Sequence, residues 1–180
     1  MSDQTDADLV ASAQRGDTRA AGRLYDRHHL PIFHYVYART SHQQVAEDLT
    51  GEVFTRMIRH LPEYEERGIP FRAWLYRIAG NLVKDHYRRN GNVPLPLSVA
   101  EEVNVPVNSP DRVVERTLTL ASVQQALAQI DENQREVVFL RFLAGMSLKE
   151  VASTMDKSVG AVKSLQHRGL TALRIVLEQG

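Results

Sequence analysis

FRAWLYRIAGNLVKDHYRR, residues Phe71–Arg89, is the stretch from which the fold of this chain can be worked outward. At 3.6 residues per turn, Phe71, Leu75, Ile78, Ala79 and Leu82 fall on one stripe, the pattern of a helix with one face against a core. Arg77, Asn81, Lys84 and Arg88, spaced i, i+4, i+7 and i+11, form a second row of three cations and an amide with no acid in it. Tyr76 and Tyr87 flank that row. Cations suit phosphates, and aromatic rings and amides suit unstacked bases, so the pattern predicts a helix packed on one side and open to single-stranded nucleic acid on the other. A merely solvated basic face has the same local pattern, and the rest of the chain has to separate the two.

The chain has 180 residues, enough for one ordinary domain or two small ones, and its 43% hydrophobic content is that of a chain that buries a core. Basic and acidic residues balance at 22 each, so affinity for nucleic acid has to come from cations gathered locally. The absence of cysteine excludes disulfides, thiolate chemistry and Cys-based zinc sites, and it suits a reducing compartment. No basic start leads into an apolar run, and no run approaches the roughly 20 apolar residues that span a bilayer. The expectation is a soluble, cytoplasmic chain with no membrane partner.

Upstream of the opening stretch, Asp6 or Asp8 is placed to cap a short helix carrying Leu9, Val10 and Ala13, with Gly16 as its stop. Asp17 caps the next, whose apolar positions continue past Pro31, so a kinked helix or two abutting helices are expected. Ser41 and Gln44 have capping-box spacing and open a third helix through Val45, Leu49, Val53, Phe54, Met57, Ile58 and Leu61. Its other face, with Glu47, Asp48, Glu52, Arg56 and Arg59, is exposed in this reading, either solvated or a docking surface. Pro62 and Pro70 bracket a loop with Gly68 as its flexible point.

After Arg89 the composition changes to prolines, asparagines and scattered valines without helical period, which marks residues 91–109 as a flexible linker between domains at 1–90 and 110–180. Ser109 and Pro110 then start a helix to about Gln129, and Asn133 with Glu136 starts another that carries Val137, Val138, Phe139, Leu140, Phe142 and Leu143 inward to Gly145. Ser147 with Glu150 forms a capping box for a short helix ending at Met155, and Ser158 caps a last long one. Two helices joined by so short a turn predict a helix-turn-helix. The last helix buries Val159, Val162, Leu165, Gly169, Leu173 and Val176 and leaves Lys163, Ser164, His167 and Arg168 outside. Those residue types contact base edges or phosphates, although a plain helical hairpin with a polar outer face has the same pattern.

Catalytic patterns are missing. There is no phosphate-cradling glycine loop, no nucleophile elbow and no carboxylate pair on an apolar background, and the histidines, His28 and His29 included, lack metal-ligand spacing and are expected at the surface. Neither a cofactor nor a catalytic residue is predicted, and the chain is not expected to be an enzyme.

Four segments, AEDLTGEVFTRM (46–57), FRAWLYRIAGNLVKDHYRR (71–89), DENQREVVFLRFLAGMSLKEVA (131–152) and SVGAVKSLQHRGLTALR (158–174), follow in an order that resembles the extracytoplasmic-function group of bacterial sigma-70 family factors. The resemblance implies an all-α protein of two small helical domains, the second a helix-turn-helix, acting as a dissociable promoter-specificity subunit of core RNA polymerase. It implies that Glu47, Asp48, Glu52 and Arg56 dock on the clamp helices of the largest subunit, with the flap a second contact. Tyr64, Arg77, Asn81, Lys84, Arg88 and Arg89 would then serve minus-ten recognition and melting, and Lys157, Lys163, Ser164, His167 and Arg168 the minus-thirty-five element. Trp74 is also a family position, and its place at the margin of the apolar stripe favours packing over base stacking. Gly169 and Leu170 depart from the more polar continuation common after the matching Arg168. Promoter DNA is the second implied partner and an anti-sigma factor a third, which the residues leave open. A linker over 91–109 reaches on the order of 60 Å, against roughly 35 Å for one turn of DNA, so two reading heads can occupy separated elements. Two alternatives share parts of this pattern: a LuxR-type regulator, which has no use for the first domain's helices, and an adaptor or inhibitor that mimics these surfaces without melting a promoter.

Overall fold

The structure, a computed structural model, describes residues 4–91 and 126–179, and every regular element among them is helical. Helix α1 spans Asp6–Gln14, α2 Thr18–Thr40, α3 Gln43–His60 and α4 Phe71–Arg89, with a single 3-10 turn at Leu61–Glu63 after α3. Helix α5 spans Glu132–Val138 and widens into a π-helical turn at Phe139–Leu143, followed by α6 at Leu148–Met155 and α7 at Val159–Gln179. The linker and most of the helix expected between residues 110 and 129 lie outside the described residues.

The amino-terminal core forms where α2 packs on α1, α3 and α4. Leu24, Ile32, Val36, Val53, Met57 and Leu75 are fully buried there, and each such side chain contributes roughly 1.5–3 kcal/mol relative to an exposed one. Helix α4 runs over the predicted span, and it buries a wider face than the predicted stripe: Ala73, Tyr76, Gly80 and Val83 are inside as well. The reason is its position, since α4 touches α2 and α3 on one side and α6 on another. It ends at Asn90, with Gly91 in the left-handed region at φ 67°. His86, Arg88 and Arg89 in its last turn complement the negative end of the helix dipole.

Several local expectations are corrected. Thr5 caps α1, its hydroxyl accepting from the Asp8 amide while Asp8 at N3 answers back, so neither aspartate is the cap. Of the two alternatives at Pro31, abutting helices are excluded: α2 is one continuous helix of 23 residues with the proline inside it, and Ile32, Tyr35 and Val36, fully buried just beyond the proline, hold the chain helical. Ser41 takes the left-handed conformation that closes α2 (φ 49°), so it cannot also take the extended conformation of an N-cap, and His42 caps α3 instead. Asp131 caps α5 in place of Asn133. Ile58, Phe142 and Leu143, expected inside, are 55%, 59% and 49% exposed. For the last two the cause is the π turn, in which the Ala144 amide donates to the Phe139 carbonyl at 3.0 Å, winding the chain wider than an α-helix and rotating Phe142 and Leu143 outward.

Candidate polymerase-facing and DNA-facing surfaces

Glu47 and Asp48 are exposed on α3, each held by an amide one turn earlier: Gln43 Nε2 donates to Glu47 at 2.9 Å and Gln44 Nε2 to Asp48 at 3.1 Å. Glu52 and Arg56 pair at 2.8 Å along the same helix. The other side of α3 carries Val53, Phe54 and Met57 into the core, so the four charged residues form one outward face on a rigid support.

On α4 the basic row is split. Asn81 and Lys84 are exposed and have no polar partner among the described residues. Arg77 is half-buried: its NH2 donates to the Ser153 carbonyl at 2.7 Å and its Nε to the Thr154 carbonyl at 3.2 Å, both in the last turn of α6. Arg88 is paired with Asp85, so the row that lacked an acid by spacing acquires one from its neighbour. Arg89 is exposed. Tyr76 and Tyr87 are not platforms for bases. Tyr76 is 2% exposed and meets Tyr35 edge-on at 5.2 Å, and burial pushes its hydroxyl up to about 12. Tyr87 donates its hydroxyl to the Arg39 carbonyl. Tyr64, in the loop before α4, donates to the Ile69 carbonyl at 2.8 Å, and its ring lies 4.7 Å from that of Trp74, which also packs on Phe71. Burial raises the Tyr64 hydroxyl to about 12.

The third surface is on α7. Ser158 caps it, its Oγ accepting from the Ala161 amide at 3.1 Å, three residues after the end of α6. Lys157, Lys163, Ser164, His167 and Arg168 are all exposed, and the Arg168 side chain lies back along the helix with Nε 3.4 Å from the Ser164 carbonyl. Gly169 lies on the opposite side. A Cβ there would come within 3.3 Å of the Gln134 carbonyl, its Cβ and Val138 Cγ2, so this position is the close contact between α7 and α5. Arg141 ties the same pair together by donating to Gln166 Oε1 at 2.9 Å. No group of three or more His, Cys, Asp or Glu side chains able to hold a metal occurs among the described residues.

A feature absent from the sequence reading joins the two sets of helices. Glu136, 3% exposed on α5, accepts from the Tyr35 hydroxyl and is ion-paired with Arg39, itself 6% exposed. Burial raises the Tyr35 hydroxyl above its ordinary value, overriding the charge of Arg39 beside it. Arg72 on α4 donates to both carboxylate oxygens of Glu150 on α6 at 2.8 and 2.9 Å. Gly80 lies beneath this junction, where a Cβ would stand 3.1 Å from the Tyr35 hydroxyl and 3.3 Å from Glu136 Oε1. Its one sequence signal was a glycine in the middle of a helix, a choice that costs about 1 kcal/mol against alanine. His28 is a second correction: it is 6% exposed, with Nε2 2.8 Å from Asp6 Oδ2, and is not a surface residue.

Two segments of the chain match known families. Residues 24–93 match Sigma-70 region 2 and residues 126–174 match Sigma-70, region 4. Both modules on one chain define a sigma-70 family factor, and the LuxR-type alternative falls because such a regulator does not account for region 2. The chain is 38% identical over 94% of its length to the ECF RNA polymerase sigma factor BldN of Streptomyces coelicolor, of which it spans 65%. It is 31% identical to the ECF RNA polymerase sigma factor ShbA of Streptomyces griseus over 95% of this chain and 94% of that protein. Among solved structures, CnrH in complex with the cytosolic domain of CnrY superimposes with a TM-score of 0.74 at 27% identity, covering 95% of this chain and 96% of that one. The chain belongs to the extracytoplasmic-function group of RNA polymerase sigma factors, whose members are initiation factors and not catalysts.

Proposed function

We propose that the protein recruits bacterial core RNA polymerase to a specific set of promoters in the cytoplasm, with residues 1–90 and 110–180 as separate modules on a linker over 91–109. Glu47, Asp48, Glu52 and Arg56 dock on the clamp helices of the largest subunit, and the carboxy-terminal module contacts the flap. Asn81 and Lys84, with Tyr64, Arg77, Arg88 and Arg89, engage the non-template strand of the minus-ten element, and Lys157, Lys163, Ser164, His167 and Arg168 read the minus-thirty-five element. The observation that carries this reading is that α3, α4 and α7 each turn a polar face outward from a buried one, on separate rigid helices. An anti-sigma factor is a further proposed partner, given that the similar CnrH was solved with the cytosolic domain of CnrY. No described helix is long and apolar enough to cross a membrane. The test is run-off transcription with purified core polymerase and a genomic promoter pool. Transcripts that depend on the protein and share two upstream motifs are expected, and their absence would reject the reading.

A further inference from the structure

The match to Sigma-70 region 2 starts at residue 24, so α1 lies ahead of it. The last residue of α1 reaches across to a distant loop. A carboxamide has two N–H donors, and Gln14 Nε2 stands 3.0 Å from the Leu61 carbonyl and 2.7 Å from the Tyr64 carbonyl, 47 and 50 residues further along the chain. Those two carbonyls flank the 3-10 turn at Leu61–Glu63, whose own bond runs from the Tyr64 amide to the Leu61 carbonyl at 3.1 Å. One side chain thus clamps both ends of the turn. The support behind it is firm: Leu9 and Val10 are buried, and Asp6 binds Arg27 at 2.6 Å and His28 at 2.8 Å, which fixes α1 on α2. The loop is held far less. Pro62, Glu63 and residues 65–68 are exposed, and a cleft of about 340 Å³ lined by Val10, Gln14, Tyr64 and Phe71 lies between the loop and α1. Hydrogen bonds, more than close packing, therefore tie the two, and a segment with few buried contacts opens at low cost. Its charge gives no help. Glu63, Glu65 and Glu66 are exposed within four residues, with Arg67 paired to Glu65, so the loop brings carboxylates towards any nucleic-acid strand and is repelled by its phosphates.

We propose that Gln14 is a positioning residue for strand opening, its carboxamide holding the loop over residues 61–70 so that Tyr64 meets the non-template strand in one arrangement. The proposal rests on the reading of Tyr64 as a minus-ten residue and deepens it. The far end of the loop is already fixed, by the Tyr64 hydroxyl on the Ile69 carbonyl and by the Tyr64 ring against Trp74. Gln14 closes the near end. A loop held beforehand in its binding geometry pays little ordering entropy on capturing a strand, and apparent affinity scales with the fraction of molecules in that geometry. Loss of the Gln14 amide therefore weakens strand capture without touching a DNA-facing residue.

The test uses the full chain in three forms: the wild type, Gln14→Ala, and Gln14→Glu, which keeps the shape and removes both donors. Gln14 is exposed and alanine is the best helix former, so Gln14→Ala leaves α1 intact. Hydrogen exchange over residues 61–70, read by mass spectrometry at millisecond labelling times, reports the loop in the free protein. Affinity for Streptomyces coelicolor core RNA polymerase is measured on the same samples, as is permanganate reactivity per bound complex on the genomic promoter fragment that the wild type transcribes most strongly. Expected in both variants are faster exchange confined to residues 61–70, polymerase affinity at the wild-type level, and an open-complex fraction lowered about tenfold. Wild-type opening by Gln14→Ala overturns the proposal. Slower opening with unchanged loop exchange overturns the route through the loop, and equal losses of polymerase affinity and opening reduce Gln14 to a structural residue and overturn its positioning role. Failure of all three proteins to bind polymerase overturns the sigma-type reading and the proposal with it, and the exchange data still show whether Gln14 holds the loop, which keeps the two failures apart.

Discussion

Replacing Arg77 by alanine separates two effects that act in opposite directions. The side chain donates two charge-assisted hydrogen bonds, at 2.7 and 3.2 Å, to carbonyls at the end of α6. For a half-buried donor their loss is worth roughly 1.5–3 kcal/mol in all, which favours opening of the junction by about ten- to a hundredfold. The same substitution removes one phosphate contact from the proposed DNA-facing row, lowering the slope of log affinity against log salt by about 0.7 for a single strand. The ratio of variant to wild-type affinity should therefore rise about fivefold for each tenfold increase in salt. Lys84→Ala, which loses a cation with no partner among the described residues, should show the same change in slope and a lower affinity throughout. The assay is fluorescence anisotropy with single-stranded DNA at four or more salt concentrations. If Arg77→Ala and Lys84→Ala lose affinity in parallel and by equal factors, Arg77 is not held by α6 in solution and the opposing-effects argument fails.

Reversing Asp48 and Glu52 to lysine should weaken binding to core polymerase with the circular dichroism unchanged, and undiminished affinity would remove α3 as the docking face. Arg168→Ala should relax base preference at one or two adjacent pairs of the upstream element, at about 1–3 kcal/mol, whereas Lys163→Ala should weaken all sequences alike, both read from a binding series on single-base promoter variants. Gly51→Ala, at an open helical position, should stabilise by about 1 kcal/mol, but Gly169→Ala should not, because its Cβ presses on the α5 backbone at 3.3 Å; denaturant unfolding compares them. Burial opposes ionisation of Asp6, but hydrogen bonds from His28 and Arg27 and their charges outweigh it, and the net pKa lies below 3.8. With a depressed folded value, its contribution to stability is complete above the unfolded pKa and is lost as pH falls through the folded one. Acid unfolding of Asp6→Asn, followed by circular dichroism, should show a shallower pH dependence in that range than the wild type.

Much of this was legible in the residues because it depends on short-range periodicity. The span of α4, the Ser147 and Glu150 capping box, the buried Val162 and Leu173 and the outward Lys163, Ser164, His167 and Arg168 all follow from helical spacing. The family resemblance stood on those same segments. What spacing could not reveal is any contact between distant parts of the chain. Glu136 looked like the third residue of a helix start, and only the fold places it against Tyr35, 101 residues away. Tyr76 and Tyr87 looked like a base-stacking pair because their positions flank a basic row, yet α4 is enclosed from more sides than one stripe implies, and both rings are spent on packing. Cap assignments failed where two residues competed, as at Ser41, whose backbone conformation was already committed to ending α2.

The aromatic cluster ahead of α4 has a practical consequence. Trp74 is the one tryptophan in the chain, and it lies in ring contact with Tyr64 and Phe71 at the base of the loop that leads into α4. Excitation at the red edge of the protein band therefore addresses a single indole, one helical turn from Arg77, without any label. Tyr64 is near enough to pass its own excitation to that indole, so a shift of the loop changes both the emission and the tyrosine-sensitised part of it. The molecule carries an optical gauge of its proposed melting surface, readable in stopped flow on the unmodified protein as promoter DNA is added.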